Sequence, residues 1–527
     1  MIYGNSLPHT TTSVCPVCNR ILPAVVYRKG NEVWIKRTCP EHGEFDEVYY
    51  EDYEIYERFR KFAKFNGKYL ETFQVDYDGK ECPFQCGLCS RHLSNPALTN
   101  IVVTNRCDLS CWYCFFFAER AGYVYEPTIE QIKGMLGAIK STKPIAGNAV
   151  QFTGGEPMLR KDIFEIVRMA KEDFKFGHVQ LNTTGIQIGL HPEYAKKLRP
   201  YVSTIYMSFD GVSPEKNPKN HWEVPLMFKA LRNAGGPGVV LVPTLINGVN
   251  TGEMGDILAF ALNNLDIVQG VNFQPLSFTG MATKQERKKF RITIPGAIKE
   301  VEKQTNGAIP KNAWYPVPAE IPISEFLNVL LGMNYPFNSH FACGAATYVF
   351  LNDGKITPIS EIVDIDNFLE FLWKFREKGK ISNIDKLKIA TKLPSFVNMK
   401  KVPGGMNFTS ILKGVVLGNW DSIVEFHRHA LFIGMMHFMD KFNYDVERVE
   451  RCAIPYATPD GRLIPFCAFN IFPETYRDKI QKKLGVPIEE WEKKHEKMQK
   501  YVRTKEFVRN VEESKAYRET YRKKVYW

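Results

Sequence analysis

The chain has 527 residues, 44% hydrophobic and 24% charged, with a formal net charge of +11. That length builds two or three domains with a sizeable core. No apolar run approaches the ~20 residues of a bilayer-spanning helix, and MIYGNSLPHT does not read as a secretory leader. The expected setting is therefore cytoplasmic, with a peripheral seat on a membrane surface left open. In a reduced compartment the twelve cysteines are read as metal ligands rather than disulfides.

The first predicted unit spans residues 1–90. Cys15-Pro-Val-Cys18 and Cys39-Pro-Glu-His42 form two knuckles. At this distance they read as a zinc-ribbon-like or rubredoxin-like site for one ion, iron or zinc. The set Cys15, Cys18, Cys39 and His42 suits zinc; a later cysteine in place of His42 would make a four-thiolate iron site. Cys82, Cys86 and Cys89 follow in CxxxCxxC spacing.

Residues 91–300 form the second unit. Apolar, β-branched runs predict strands at 100–104, 148–153, 178–182, 204–209, 239–245 and 271–276. Helix-like stretches such as 128–140 and 161–175 separate them, which means parallel βαβ units. Such barrels carry their chemistry at strand C-termini, and the polar motifs stand there. The first strand runs into Cys107, Cys111 and Cys114. Three thiolates on one loop suit three corners of a [4Fe–4S] cluster and leave one iron open. The second strand runs into Gly154-Gly155-Glu156-Pro157, where glycines permit close backbone approach; an ordinary strand-to-helix turn is the alternative.

This loop, with Tyr113 at the aromatic position and TGGEP after the next strand, resembles the radical SAM superfamily. The resemblance implies an α/β fold built on a partial (βα)6 barrel, with S-adenosylmethionine (SAM) chelated by the open iron. Cys107, Cys111 and Cys114 are then the catalytic centre, and Gly154, Gly155 and Glu156 receive the methionyl ammonium. Further cofactor contacts are expected at Asn182 and Thr184, at Ser208 and Asp210, and at Gln274, with solvated turns as the alternative. The Cys82 group lacks the strand and GGE context and is read as auxiliary iron–sulfur ligands. One SAM-binding and two auxiliary [4Fe–4S] clusters are expected.

Residues 301–527 form the third unit. Cys343 lies in FACGAATYVFLNDGKITP, and Cys452 and Cys467 in RCAIPYATPDGRLIPFCAFN. Both stretches resemble SPASM-type auxiliary-cluster pieces, with hairpin turns at Asp353-Gly354 and Asp460-Gly461. The first departs from that pattern, since Pro358 and Ile359 stand where a second cysteine belongs. Nine cysteines remain outside the SAM loop, too few for two four-cysteine clusters and a four-cysteine ion site. At least one site therefore uses another ligand or keeps an open position; lone buried cysteines are the alternative for single members. Residues 415–440 are rich in methionine and aromatics and carry His427, Arg428, His429 and His437. They read as a core helix, or as one wall of a greasy tunnel that Phe115, Phe116 and Phe117 would extend. The Lys/Arg-dense tail from Arg477 reads as a solvated face, or as one that meets nucleic acid or an anionic membrane.

The order of motifs, from CPVC and CPEHG through ECPFQCGLCSRH, TNRCDLSCWYC and FTGGEP to PDGRLIPFCAFN, is similar nearly end to end to the archaeal tetraether lipid synthases. The resemblance implies coupling of terminal methyl carbons of isoprenoid chains on a diether phospholipid substrate, with the first chain radical trapped on an auxiliary cluster. An electron donor protein is the expected partner, and nucleic acid is not. A radical SAM methylase of a pterin-type small molecule and an RNA-modifying radical SAM protein are the alternatives.

Overall fold

The computed structural model describes all residues except 1–5, 77–81, 115–120, 280–283, 353, 404–405, 407, 409, 412–413, 415–425, 427–428, 496 and 525. Phe115, Phe116, Phe117, Asp353, His427 and Arg428 thus lie outside the described residues.

The N-terminal part is a four-stranded antiparallel meander: β1 (His9–Val14), β2 (Ile21–Lys29), β3 (Glu32–Cys39) and β4 (Gly43–Tyr50). Along β3 the side chains alternate, with Val33, Ile35, Arg37 and Cys39 buried. One face is therefore packed and one is wet. The packed face meets a distant loop. Arg37 donates to the carbonyls of Val14 (3.1 Å) and Lys441 (2.8 Å), and Ser13 to that of Tyr444 (2.6 Å).

The central sheet is wound from β5 (Thr99–Thr104), β7 (Ala149–Gly154), β8 (His178–Thr183), β9 (Thr204–Ser208), β10 (Gly238–Val242) and β12 (Val268–Pro275), with short β6 (Tyr123–Val124) beside the first loop and β11 (Thr244–Leu245) on β12. The six long strands pair in parallel in the order β5-β7-β8-β9-β10-β12. They coincide with the six predicted runs, and the α/β class with its parallel βα units holds. Helix Ile129–Lys140 opens on a capping box between Thr128 and Gln131. Helix Ile163–Glu172 buries Ile163, Ile166, Val167 and Ala170 against the sheet. Each buried isoleucine or valine there contributes about 1.5–3 kcal/mol by burial.

Later residues extend this sheet at both ends. After β13 (Tyr315–Pro316), β14 (Gly344–Asn352) and β15 (Lys355–Pro358) form a hairpin with Gly354 at φ +77°. β16 (Ala430–Met436) lies between β14 and β12, antiparallel to the first and parallel to the second. The helix expected over 415–440 is corrected there. ALFIGMM is buried from both sides, and a fully apolar run carries no period that separates strand from helix. β17 (Tyr456–Ala457) and β18 (Leu463–Ile464) form the second hairpin, with Gly461 at φ +84°, and β17 bridges to β5.

Candidate active site and metal centres

The loop after β5 carries Cys107, Cys111 and Cys114. Cys114 N–H donates to the Cys111 carbonyl (3.1 Å), and Leu109 N–H points at Cys107 Sγ (3.5 Å). Burial pushes the Cys107 and Cys111 thiols up. The end of β7 is laid directly against this loop. A Cβ at Gly154 would stand 1.9 Å from the Thr104 oxygen, and one at Gly155 2.0 Å from the Arg106 oxygen. Gly155 N–H donates to Thr104 (2.9 Å) and Glu156 N–H to Arg106 (2.7 Å). The glycines are therefore required by backbone apposition, and the cysteine loop and the GGE turn are one unit.

Glu156 is fully buried. Its Oε1 accepts from Thr183 Oγ1 (2.7 Å) and Met158 N–H (2.9 Å), its Oε2 from Thr184 N–H (2.7 Å) and Oγ1 (2.9 Å). The carboxylate thus braces the end of β7 to the end of β8, and burial beside Asp108 holds it above the usual carboxylate range. Across the site, Tyr113 Oη donates to Asp210, which also pairs with Lys219 Nζ (2.7 Å). Lys219 donates to Ser208 Oγ as well (2.7 Å). Sequence reasoning passed over Lys219, whose only signal is a lysine shortly after the Asp210-Gly211 turn.

Below the loop lies a cavity of about 270 Å³. Tyr113, Cys114, Gly154, Gly155, Asn182, Thr184, Ser208 and Gln274 line it; Glu156 and Asp210 stand behind that wall. Strand register builds its interior in rows. Asn100, Gln151, Gln180 and Thr204 are mutual neighbours across β5, β7, β8 and β9. Gln180 donates to Gln151, and Gln151 to Asn100 (2.6 Å), which closes this row as a floor. The next row is open. Asn182 donates to Thr153 (3.2 Å), but its Oδ1 is buried without a partner. Asn272 donates to Tyr206 Oη (2.9 Å), leaving the phenol proton unpaired among the described residues. No charged side chain lines the cavity among the described residues. These amides sit at alternate strand positions; Asn182 is among the expected cofactor contacts, whereas Gln151, Gln180 and Asn272 lie in runs read as apolar.

The far wall includes Ile454, Phe466 and Phe438, close in sequence to Cys452 and Cys467. Cys82, Cys86, Cys89, Cys343, Cys452 and Cys467 form one neighbourhood whose charges act on one another. Burial pushes Cys86 and Cys467 up to about 12 and Cys452 to about 11. Thiols gathered in this way fit metal coordination, which takes their protons and satisfies the sulfurs. Arg448 Nε donates to Cys343 Sγ (3.3 Å). His437 is buried between these groups, and burial lowers it to about 3; His429 is exposed.

In the ribbon, the ligand atoms of Cys15, Cys18, Cys39 and His42 lie within 4.8 Å of one another. The β1–β2 and β3–β4 turns bring them together, with Gly43 at φ +74° completing the second. Three thiols and an imidazole suit tetrahedral zinc.

Residues 101–261 match the Radical SAM superfamily, and residues 7–51 the HMPTM N-terminal zinc ribbon domain. The 7,8-dihydro-6-hydroxymethylpterin dimethyltransferase of Methanocaldococcus jannaschii is 42% identical over 505 residues, which are 92% of this chain and 97% of that one. The chain belongs to that enzyme's family. Probable GTP 3′,8-cyclases of M. jannaschii and Archaeoglobus fulgidus are 27% and 28% identical, over 53% and 50% of this chain and 88% and 87% of theirs. As a member of the pterin dimethyltransferase family the protein is a radical SAM enzyme, using SAM and a [4Fe–4S] cluster, with a further metal site in its ribbon. This membership corrects the tetraether-synthase resemblance, the coupling of isoprenoid chains and the diether phospholipid partner. The motifs that carried that resemblance are of metal- and cofactor-binding type, and such motifs do not encode a substrate. An alkyl chain would also leave the Asn182 oxygen unpaired, a cost that a polar ligand avoids. Among the described residues no helix is long and apolar enough to cross a membrane.

Proposed function

We propose that this protein methylates a pterin, 7,8-dihydro-6-hydroxymethylpterin or a close analogue. The observation that carries this reading is the uncharged, amide-rich cavity directly below the cysteine loop. A pterin ring presents a lactam and an amino-pyrimidine edge, both hydrogen-bonding and neither charged. The Asn182 Oδ1 would accept a ring N–H, and the Tyr206 hydroxyl would donate to a ring carbonyl or nitrogen. Cavities of this kind fix orientation with a few placed polar groups, and 42% identity to a pterin dimethyltransferase supports the same substrate class.

Cys107, Cys111 and Cys114 would hold the SAM cluster, with the Gly154–Gly155 turn admitting the cofactor beside it. When bound, cluster and cofactor supply a 5′-deoxyadenosyl radical strong enough to take hydrogen from an unactivated C–H bond. Tyr113, Asp210, Lys219 and Ser208 would keep the cofactor side of the cavity rigid, and Phe438 stacked on Phe466 (3.8 Å) would exclude water from the far side. The six clustered cysteines would serve two auxiliary clusters with three thiolates each, leaving one position per cluster to another ligand.

The test is anaerobic. Protein reconstituted with iron and sulfide is given reductant, SAM and 7,8-dihydro-6-hydroxymethylpterin, and products are read by mass spectrometry. The expected outcome is a pterin carrying methyl groups that come from SAM, with one S-adenosylhomocysteine per methyl transferred, and 5′-deoxyadenosine and methionine from the SAM cleaved to the radical. Deoxyadenosine with an unchanged pterin would sink this reading.

A further inference from the structure

The basic tail does not only face water. Lys500 Nζ donates to the carbonyls of Cys107 and Leu109, both at 3.0 Å. Tyr501 N–H donates to the carbonyl between them, that of Asp108, at 2.9 Å. Three successive carbonyls of the cysteine loop are thus taken by two neighbouring tail residues. The peptide unit joining Asp108 to Leu109 is engaged at both ends. Its carbonyl accepts from Tyr501, and its N–H points at Cys107 Sγ (3.5 Å). Hydrogen bonds in series polarise one another, so the grip on the carbonyl strengthens the N–H toward the sulfur.

The tail is anchored just beyond this contact. Arg503 pairs with the fully buried Glu223 at 2.6 and 2.7 Å, and Tyr501 Oη donates to the same carboxylate at 2.8 Å. Arg503 also donates to the Lys219 carbonyl, and Lys219 is the residue that braces Asp210, Ser208 and Tyr113. One strap therefore fixes the cysteine loop from outside and meets the network that fixes it from inside.

We propose that Lys500 and Tyr501 are positioning residues for the SAM cluster: they hold residues 107–109 so that the Leu109 N–H serves the Cys107 thiolate and eases reduction of the cluster. This rests on the assignment of Cys107 to that cluster. A donor aimed at a ligand sulfur favours the more negative, reduced state, and hydrogen bonds to cluster sulfurs are among the protein's levers on potential. A cation on the adjoining carbonyls acts in the same direction.

The test uses the full-length, reconstituted protein in a redox titration followed by electron paramagnetic resonance, reading the reduced signal that responds to added SAM. Lys500→Met removes the cation and keeps the stem, and Tyr501→Pro removes the N–H. Lys500→Arg and Tyr501→Phe keep those donors. The first two are expected to lower the reduced-to-oxidised ratio at fixed solution potential by about tenfold, the order of one hydrogen bond's worth, while the second two titrate near wild type. Loss of cluster iron from Lys500→Met that Lys500→Arg prevents would equally support the role. Wild-type titration in both donor-lacking variants, or the same shift or iron loss in all four, would overturn it. A wild-type protein in which no signal responds to SAM would overturn the assignment of Cys107, and the proposal with it.

Discussion

At the scale of single residues, the cavity-lining group Asn182, Tyr206 and Asn272 is where substrate recognition is most exposed to test. Tyr206→Phe removes one donor without changing shape. It is expected to raise the KM for the pterin about tenfold, the worth of one hydrogen bond of about 1–1.5 kcal/mol, and to leave kcat nearly unchanged; steady-state kinetics decides. A second residue-scale prediction concerns His221. Its ring stacks on Tyr521 (4.4 Å between centroids), and burial lowers its pKa from 6.5 to about 4. The unfolded chain then takes a proton at higher pH than the folded one, so stability rises with pH across that window. The contribution is fully present above pH 6.5 and is lost as pH falls from 6.5 toward 4. Melting curves of wild type and His221→Gln should therefore converge on acidification, because only the wild type carries this loss. Neither residue was legible in the sequence as functional. Tyr206 lies in a run read as apolar, and His221 acquires its environment from a tail hundreds of positions away.

At the scale of elements, the decisive contact is the end of β7 against the cysteine loop. Gly155→Ala would drive a Cβ into the Arg106 oxygen, so backbone must move. The expected result is loss of the SAM-responsive cluster signal and a fall in turnover of at least about 100-fold, the scale that a 1 Å misplacement produces. Ribbon metal, read by elemental analysis, should stay. The six parallel strands were legible because each is a short apolar run closed by turn residues, and TGGEP because its glycines mark close approach. The seventh parallel partner, β16, was not, since seven successive apolar residues look alike in either backbone. The alternation of Gln151 with Thr153, and of Gln180 with Asn182, was present in the sequence as a period of two; Asn182 stood out beside a turn, but Gln151 and Gln180 were hidden because these strands were sought by their apolar content. The grip of Tyr501 on Asp108 uses a backbone N–H, which leaves no trace in residue identity.

At the scale of the whole molecule, the ribbon is tied to the region around Cys452 through Arg37, Ser13 and Tyr49, the last donating to Asp445 (2.7 Å). Cys39→Ser or His42→Ala is expected to remove one metal ion per chain, with iron in the other sites unchanged by elemental analysis. Structural zinc lends such small domains an apparent ≈ 10–16 kcal/mol, enough that the β1–β4 sheet should open to protease without it. Retained protease resistance in the metal-free variant would count against a structural ion. The convergence of Cys15, Cys18, Cys39 and His42 was legible from knuckle spacing alone. The convergence of six further cysteines from three distant segments was not, because it is made by tertiary packing.

The strand pairing at the open side of the barrel also bears on how the chain is made. β12 ends at Pro275, yet the strand that covers its free edge begins at Ala430. During synthesis the amides of β12 therefore emerge well before their partner exists. An uncovered strand edge is a template for association with other chains, and such exposure is greatest in large, slow-forming parallel sheets. Nascent chains halted between these two strands should self-associate, whereas chains that have passed Met436 should not.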